Sequence, residues 1–251
     1  MHFLSGVGHW FTTSSNWLGA DGILERALEQ LELSGAVVLV AGIIGVAIGF
    51  LLGRGRHGGF IAVNAANAAR AIPSLSLITL LVIWPPISLK ANGFDASFLA
   101  LVALAIPPVL TNAFVAMREV DVDVIEAAKA SGMTSFQRLI RVEMPLAAPL
   151  TVTGLRIAAI EVTATATLAA YISFNDLGVF IFAGLNTNDT VETFCGALTV
   201  AMLSFMSDLV LLGLYRLVTP TSLRRRGAAL SGALGGTVRA SRRAAASVAQ
   251  A

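Results

Sequence analysis

The chain has 251 residues, of which 56% are hydrophobic and 13% charged, against roughly 25% charged in an average soluble domain. Its aliphatic residues gather into runs near the length of a bilayer crossing, which excludes a soluble domain and defines an integral membrane protein. The net charge of +2 comes from basic residues at segment ends, so it reports membrane topology rather than nucleic-acid binding.

Residues 1–33 carry Asp21, Glu25, Glu29 and Glu32 and lack the basic start and apolar core of a signal peptide. They are expected to form an extracytoplasmic segment with an acidic helix near the outer interface. Residues 34–52 are uncharged and long enough for a first crossing. Arg54 and Arg56 follow it and place that end in the cytoplasm. The second segment holds Arg70 and Pro73. An arginine at membrane depth is expensive, so Arg70 belongs near the cytoplasmic entrance or in a protein-lined cavity. Pro73 bends this helix, as a packing kink or as a gate. Pro85 and Pro86 end it outside. A third crossing runs from about Ser97 to Met117, interrupted by Pro107 and Pro108 and closed by Arg118. A fourth runs from about Leu146 to Tyr171, and a fifth from about Glu192 to Leu217 beside Arg216. Residues 34–220 thus form one all-α membrane domain of about five helices. Residues 221–251 form a basic tail rich in Ala, Gly and Ser, expected to be cytoplasmic and disordered. The single Cys195 excludes an internal disulfide, and His2, His9 and His57 are too scattered for a zinc site.

Between the third and fourth crossings the chain turns polar. "DVIEAAKASG" reads as a short helix with Glu126 near its start and Gly132 at its turn. Small Ala127, Ala128 and Ala130 permit close approach by another surface. "MTSFQRLIRVEMP" follows as a second helical piece with an apolar stripe of Phe136, Leu139 and Ile140. Pro145 closes the unit and redirects the chain into the membrane.

The spacing of "EAA", Gly132 and "VEMP" resembles the EAA loop of ABC-importer permeases. Val142 and Met144 stand where aliphatic residues are usual. "ARAIPSLSLITLLV" at 69–82, "ALAIPPVLTNAFVAMREVD" at 103–121 and "TATLAAYISFNDLGVFIFAGLNTNDT" at 165–190 resemble the osmoprotectant branch of that family. The resemblance implies a type I ABC importer transmembrane domain with a cytoplasmic coupling helix in a bacterial plasma membrane. It implies a non-catalytic subunit moving glycine betaine, choline or carnitine. It also implies ATPase subunits that use ATP and Mg, a second permease subunit in a homo- or heterodimer, and an extracytoplasmic solute-binding protein. Glu126, Ala127, Ala128, Gly132 and Pro145 would make the ATPase-coupling unit. A permease of the same architecture for methionine, another amino acid or a small organic solute is the nearest alternative. An ion-coupled carrier and a membrane scaffold are alternatives of other classes. The chain has no GxxxxGK[ST] sequence, so no cofactor is expected on it and energy must come from a partner.

Candidate pathway or gate residues are Pro73, Glu161, Thr163 and Thr167. Glu161 needs a partner or water at membrane depth; Arg156, five residues earlier, is one candidate. Thr163, Thr165 and Thr167 serve either packing or solute contact. Trp84, Phe114 and Tyr171 could offer aromatic faces to a quaternary ammonium group, or act as anchors.

Overall fold

The computed structural model describes residues 2–55, 59–83, 94–172 and 174–218, and the described regular elements are all helical. Helix α1 (His2–Thr12) and a 3₁₀ turn (Ser14–Asn16) precede α2 (Ile23–Arg54). Next come α3 (Gly59–Ala69), α4 (Ser74–Ile83) and α5 (Phe94–Arg118). The polar unit comprises α6 (Val122–Ala130), α7 (Ser135–Arg138) and a π turn (Leu139–Glu143). Helix α8 (Met144–Ala166) ends in a 3₁₀ turn (Thr167–Ile172) and is followed by α9 (Gly178–Thr187) and α10 (Thr190–Val218).

Four of these stretches are long and apolar enough to cross a membrane, and the bent α3–α4 pair makes up to 5. The tail at 221–251, with Arg56, Pro85, Pro86 and Trp84, lies outside the described residues. Helix α2 runs without a break across the expected boundary at residue 34. Its 32 residues span ~48 Å at a rise of about 1.5 Å each, longer than the ~30 Å hydrocarbon layer. The acidic stretch is therefore its projecting first third rather than a separate interfacial helix.

Three glycines set the packing of α2 on α5. A Cβ built on Gly45 would lie 2.9 Å from Val109 Cβ, and one on Gly49 would lie 2.7 Å from Ala113 Cβ. On Gly53 it would lie 2.7 Å from Met117 Cβ. The four-residue spacing puts all three on one helix face, where the missing side chains let the backbones meet. Both residue numbers rise together, so α2 and α5 run parallel. Helix α8 runs opposite to them: Gly42 of α2 meets Leu155 of α8, while Gln30 meets Thr163. The core joining the three contains Leu33, Val37, Leu101, Val109, Ala158 and Val162.

Two of the expected proline effects differ from the structure. Pro107 and Pro108 lie inside an unbroken 25-residue α5. Both prolines are buried, so close packing supports the helix where backbone bonds are lost. Pro145 does not close the polar unit: Ser135–Ile172 is one continuous helical stretch of 38 residues. It occupies the first turn of α8, where its missing N–H removes no intrahelical bond. By contrast Pro73 does mark a break. Helices α3 and α4 meet there at 81°. Helix α9, only 10 residues long, is an addition to the expected list. It is too short to span and sits beside α10.

Candidate functional site

The polar unit is held by local capping at each turn. The Asp121 side chain accepts the Asp123 N–H at 2.9 Å and starts α6. Gly132 ends it with φ +77°, a left-handed conformation that favours glycine. The Gly132 and Met133 amides donate back to the Lys129 and Ala128 carbonyls at 2.9 and 3.2 Å. Thr134 and Gln137 then form a reciprocal capping box that starts α7.

A carboxylate not singled out from sequence ties this unit to the bundle. Glu143, at the end of the π turn, is buried with 2% relative exposure. It accepts from Arg54 Nε at 2.7 Å and from Arg138 Nε at 2.8 Å. Arg54 Nη2 also reaches Glu143 Oε1 at 3.2 Å and Ser135 Oγ at 3.1 Å. The last turn of α2 is thereby fastened to both ends of the α7–π segment. The buried carboxylate is paired with two arginines, which offsets the cost of taking it out of water. The sequence signal was a glutamate between apolar Val142 and Met144, in a motif where that position carries no fixed residue type.

The expected coupling residues divide by exposure. Glu126 and Ala127 are exposed, as are Gly132 and Pro145, whereas Ala128 is buried at 7% exposure. The close approach expected of Ala128 is thus to the protein's own core. Glu126 also borders a cleft of about 480 Å³ with Arg54, Arg118, Lys129, Arg138 and Glu143.

Arg156 and Glu161 each find a partner on another element. Arg156 does not pair with Glu161. It donates to both carboxylate oxygens of Asp208 on α10, Nε to Oδ1 and Nη2 to Oδ2, each at 2.9 Å. Five residues of helix put Arg156 and Glu161 on different faces. Glu161 instead accepts from Arg70 Nη2 at 2.7 Å, joining α8 to the end of α3. Thr163 on α8 and Thr167 at the start of the 3₁₀ turn that follows are buried, at 1% and 8% exposure. Thr167 Oγ1 donates to the Ala164 carbonyl, and the Thr163 carbonyl accepts from Gln30 Nε2 at 2.7 Å. Pro73 is exposed at the bend. Phe114 lies near the α5 terminus under Arg118, while Tyr171 packs against Phe182 near the far end of α8. The structure does not bring the two rings together into one aromatic cage.

A second polar clasp occupies that far end. Arg26 of α2 donates to Asn175 Oδ1 and to Asp21 Oδ1. Gln30 accepts the Leu177 amide at 3.3 Å. Between them Asp176 is fully buried, its Oδ1 accepting the Gly178 N–H at 2.8 Å and its Oδ2 unpartnered. Burial pushes its carboxyl up to about 7, against the lowering effects of the Gly178 bond and Arg26.

Parallel and antiparallel spans, a broken helix and an exposed capped helix unit at one end fit the membrane subunit of an ABC importer. The chain belongs to the family described as binding-protein-dependent transport system inner membrane component, matched over residues 41–223. It is accordingly a multi-pass inner-membrane protein. It is 30% identical over 203 residues to the choline transport system permease protein OpuBB of Bacillus subtilis (strain 168), covering 81% of this chain and 91% of that one. It is 31% identical over 202 residues to the glycine betaine/carnitine/choline transport system permease protein OpuCB of the same organism, covering 80% and 91%. Among solved structures, an inward-facing MetNI methionine ABC transporter shares the fold. The TM-score is 0.68 at 21% identity, over 79% of this chain and 96% of that one.

Proposed function

We propose that this chain is the permease subunit of an ATP-driven importer of osmoprotectants such as glycine betaine, choline or carnitine. Separate ATPase subunits would bind ATP and Mg. A second permease subunit would complete the pathway, and an extracytoplasmic binding protein would deliver the solute. The relatives' solutes support the substrate class, since identity near 30% extends over four fifths of the chain.

The observation that carries the mechanism is the fastening of the α7–π segment, which follows α6 through the Gly132 turn, to α2 through Glu143. An exposed helix can pass force to the membrane only if it moves as one body with a span. Here the Arg54–Glu143–Arg138 bonds supply that connection. Closure of the ATPases would push on α6, with Glu126 and Ala127 exposed at its surface. Ala128 would lock α6 to the core, Gly132 would hold the turn, and Pro145 would begin the driven span. The bundle would then shift between two packings that open to opposite sides. Pro73 and Glu161 would border the moving pathway, with Thr163 and Thr167 supporting its wall from behind.

The test is reconstitution of the permease with its ATPase and binding protein in proteoliposomes. Uptake is measured for glycine betaine, choline, carnitine, methionine and other amino acids. ATP-dependent uptake of a quaternary amine is expected. Uptake of methionine alone would refute the substrate class and leave the importer architecture standing. Glu126→Lys should weaken ATPase association at normal abundance; unchanged association and uptake would remove Glu126 from the coupling surface.

A further inference from the structure

The exposed faces of the bundle are of two kinds. Helices α2 and α10 expose Leu39, Ile43, Leu51, Met202, Phe205 and Val210, side chains suited to lipid. Helix α3 exposes Asn64, Ala65, Asn67 and Ala68 beside Ile61, and Arg70, just after its last turn, is exposed as well. An arginine facing hydrocarbon is costly, so the stretch with Arg70 and two asparagines belongs against water or protein. The Arg70–Glu161 pair stands on that face, at the 81° bend between α3 and α4.

Its geometry differs from that of the Arg156–Asp208 pair. Arg156 and Asp208 meet through two parallel bonds, with side chains 25% and 19% exposed. Arg70 and Glu161 meet through one Nη2···Oε2 contact of 2.7 Å, with side chains 38% and 35% exposed. A two-bond fork is a fixed tie between α8 and α10. Among the described residues, a single open contact leaves guanidinium N–H groups and one carboxylate oxygen to meet a solute.

We propose that Arg70 and Glu161 form a recognition pair for zwitterionic quaternary-ammonium carboxylates on the translocation face. The proposal rests on the osmoprotectant reading above. Such a solute carries both charges. Its carboxylate takes the Arg70 guanidinium and its ammonium group takes Glu161, so one internal pair is exchanged for two and no charge is left unmatched. The quaternary ammonium has no N–H, so Glu161 acts on it by charge alone, whereas Arg70 binds the carboxylate by its planar fork. A purely cationic solute satisfies Glu161 and leaves Arg70 unpaired. Because the pair bridges the α3–α4 bend and α8, its opening also frees those two elements to separate.

The complete complex in proteoliposomes tests this with glycine betaine as zwitterion and choline as cation, each variant compared with wild type on the same binding protein. Arg70→Gln should cut glycine betaine uptake at least about tenfold while choline uptake stays within about threefold. Glu161→Gln should lower both. The Arg70→Gln/Glu161→Gln double variant should remain as poor with glycine betaine as Arg70→Gln. Arg70→Lys, which keeps the charge, should insert normally and still lose several-fold in glycine betaine uptake. A merely structural pair predicts the reverse: the double variant recovers wild-type uptake, Arg70→Lys is silent, and the ratio of the two solutes never changes. That result overturns the proposal. If wild type moves glycine betaine alone, the double variant and Arg70→Lys decide. If it moves no quaternary amine, the substrate class itself fails and the recognition pair falls with it.

Discussion

Replacing Glu143 by alanine removes the carboxylate that Arg54 and Arg138 share. Removing one partner from a buried ion pair costs about 3–5 kcal/mol, because the remaining charge is left in a poor solvent. The cost here is smaller than for a dry site. The Arg54 side chain is 28% exposed and keeps its bonds to Ser135, and Arg138 is 15% exposed. Discounting for water that reaches Arg54 leaves about 2–3 kcal/mol. At 1.4 kcal/mol per factor of ten, that shifts docking of the α7–π segment on α2 by roughly 30- to 150-fold. The membrane core does not depend on this bond, since the glycine stripe and Leu33–Val162 cluster lie along the spans. The Glu143→Ala variant should therefore insert at normal abundance, and ATP hydrolysis should continue while solute moved per ATP falls at least about tenfold. Glu143→Gln should lie between, because its amide nitrogen faces an arginine donor in either orientation. The assay is uptake and hydrolysis measured together in proteoliposomes, with abundance checked by quantitative blotting. Glu143→Ala uptake per ATP within twofold of wild type would refute the reasoning.

Two further outcomes follow from the same geometry. Gly132→Ala meets nothing within 4 Å, so its cost is the left-handed backbone alone, about 1 kcal/mol. Gly132→Asn should cost less, and thermal unfolding in detergent should rank them in that order; a larger loss for asparagine would contradict the backbone argument. The carboxyl of Asp176 sits at about 7 when folded, above its unfolded value, so the folded state holds the extra proton. This contribution is complete below the unfolded value near 3.8 and is lost as pH rises through about 7. Arg26 and Glu29 face the same site and oppose each other in effect. Asp176→Asn keeps the oxygen that accepts from Gly178 and cannot ionise. It should raise the melting temperature at pH 8 relative to pH 5 by about 5 °C compared with wild type. An equal pH response in both proteins would remove Asp176 as the cause.

The membrane class, the four long spans and the place of the polar unit were written in the sequence, since each depends on runs of residue type. Hydrocarbon demands long apolar stretches, and a left-handed turn after α6 demands a residue such as Gly132. The EAA spacing likewise needs only local order to be seen. Partnership was decided by tertiary structure. Nothing along the chain says that Arg156 turns to Asp208, 52 residues away, or that Glu161 turns to Arg70, 91 residues away. Nor does local sequence tell that Ala128 is spent on the protein's own core, or that Glu143 carries the bond from the exposed unit to α2. The prolines make the same point. Their missing N–H is a local fact, but Pro73 breaks its helix while Pro107 and Pro108 are absorbed. The difference lies in whether neighbouring helices press around the weakened backbone, and only the packed bundle supplies those neighbours.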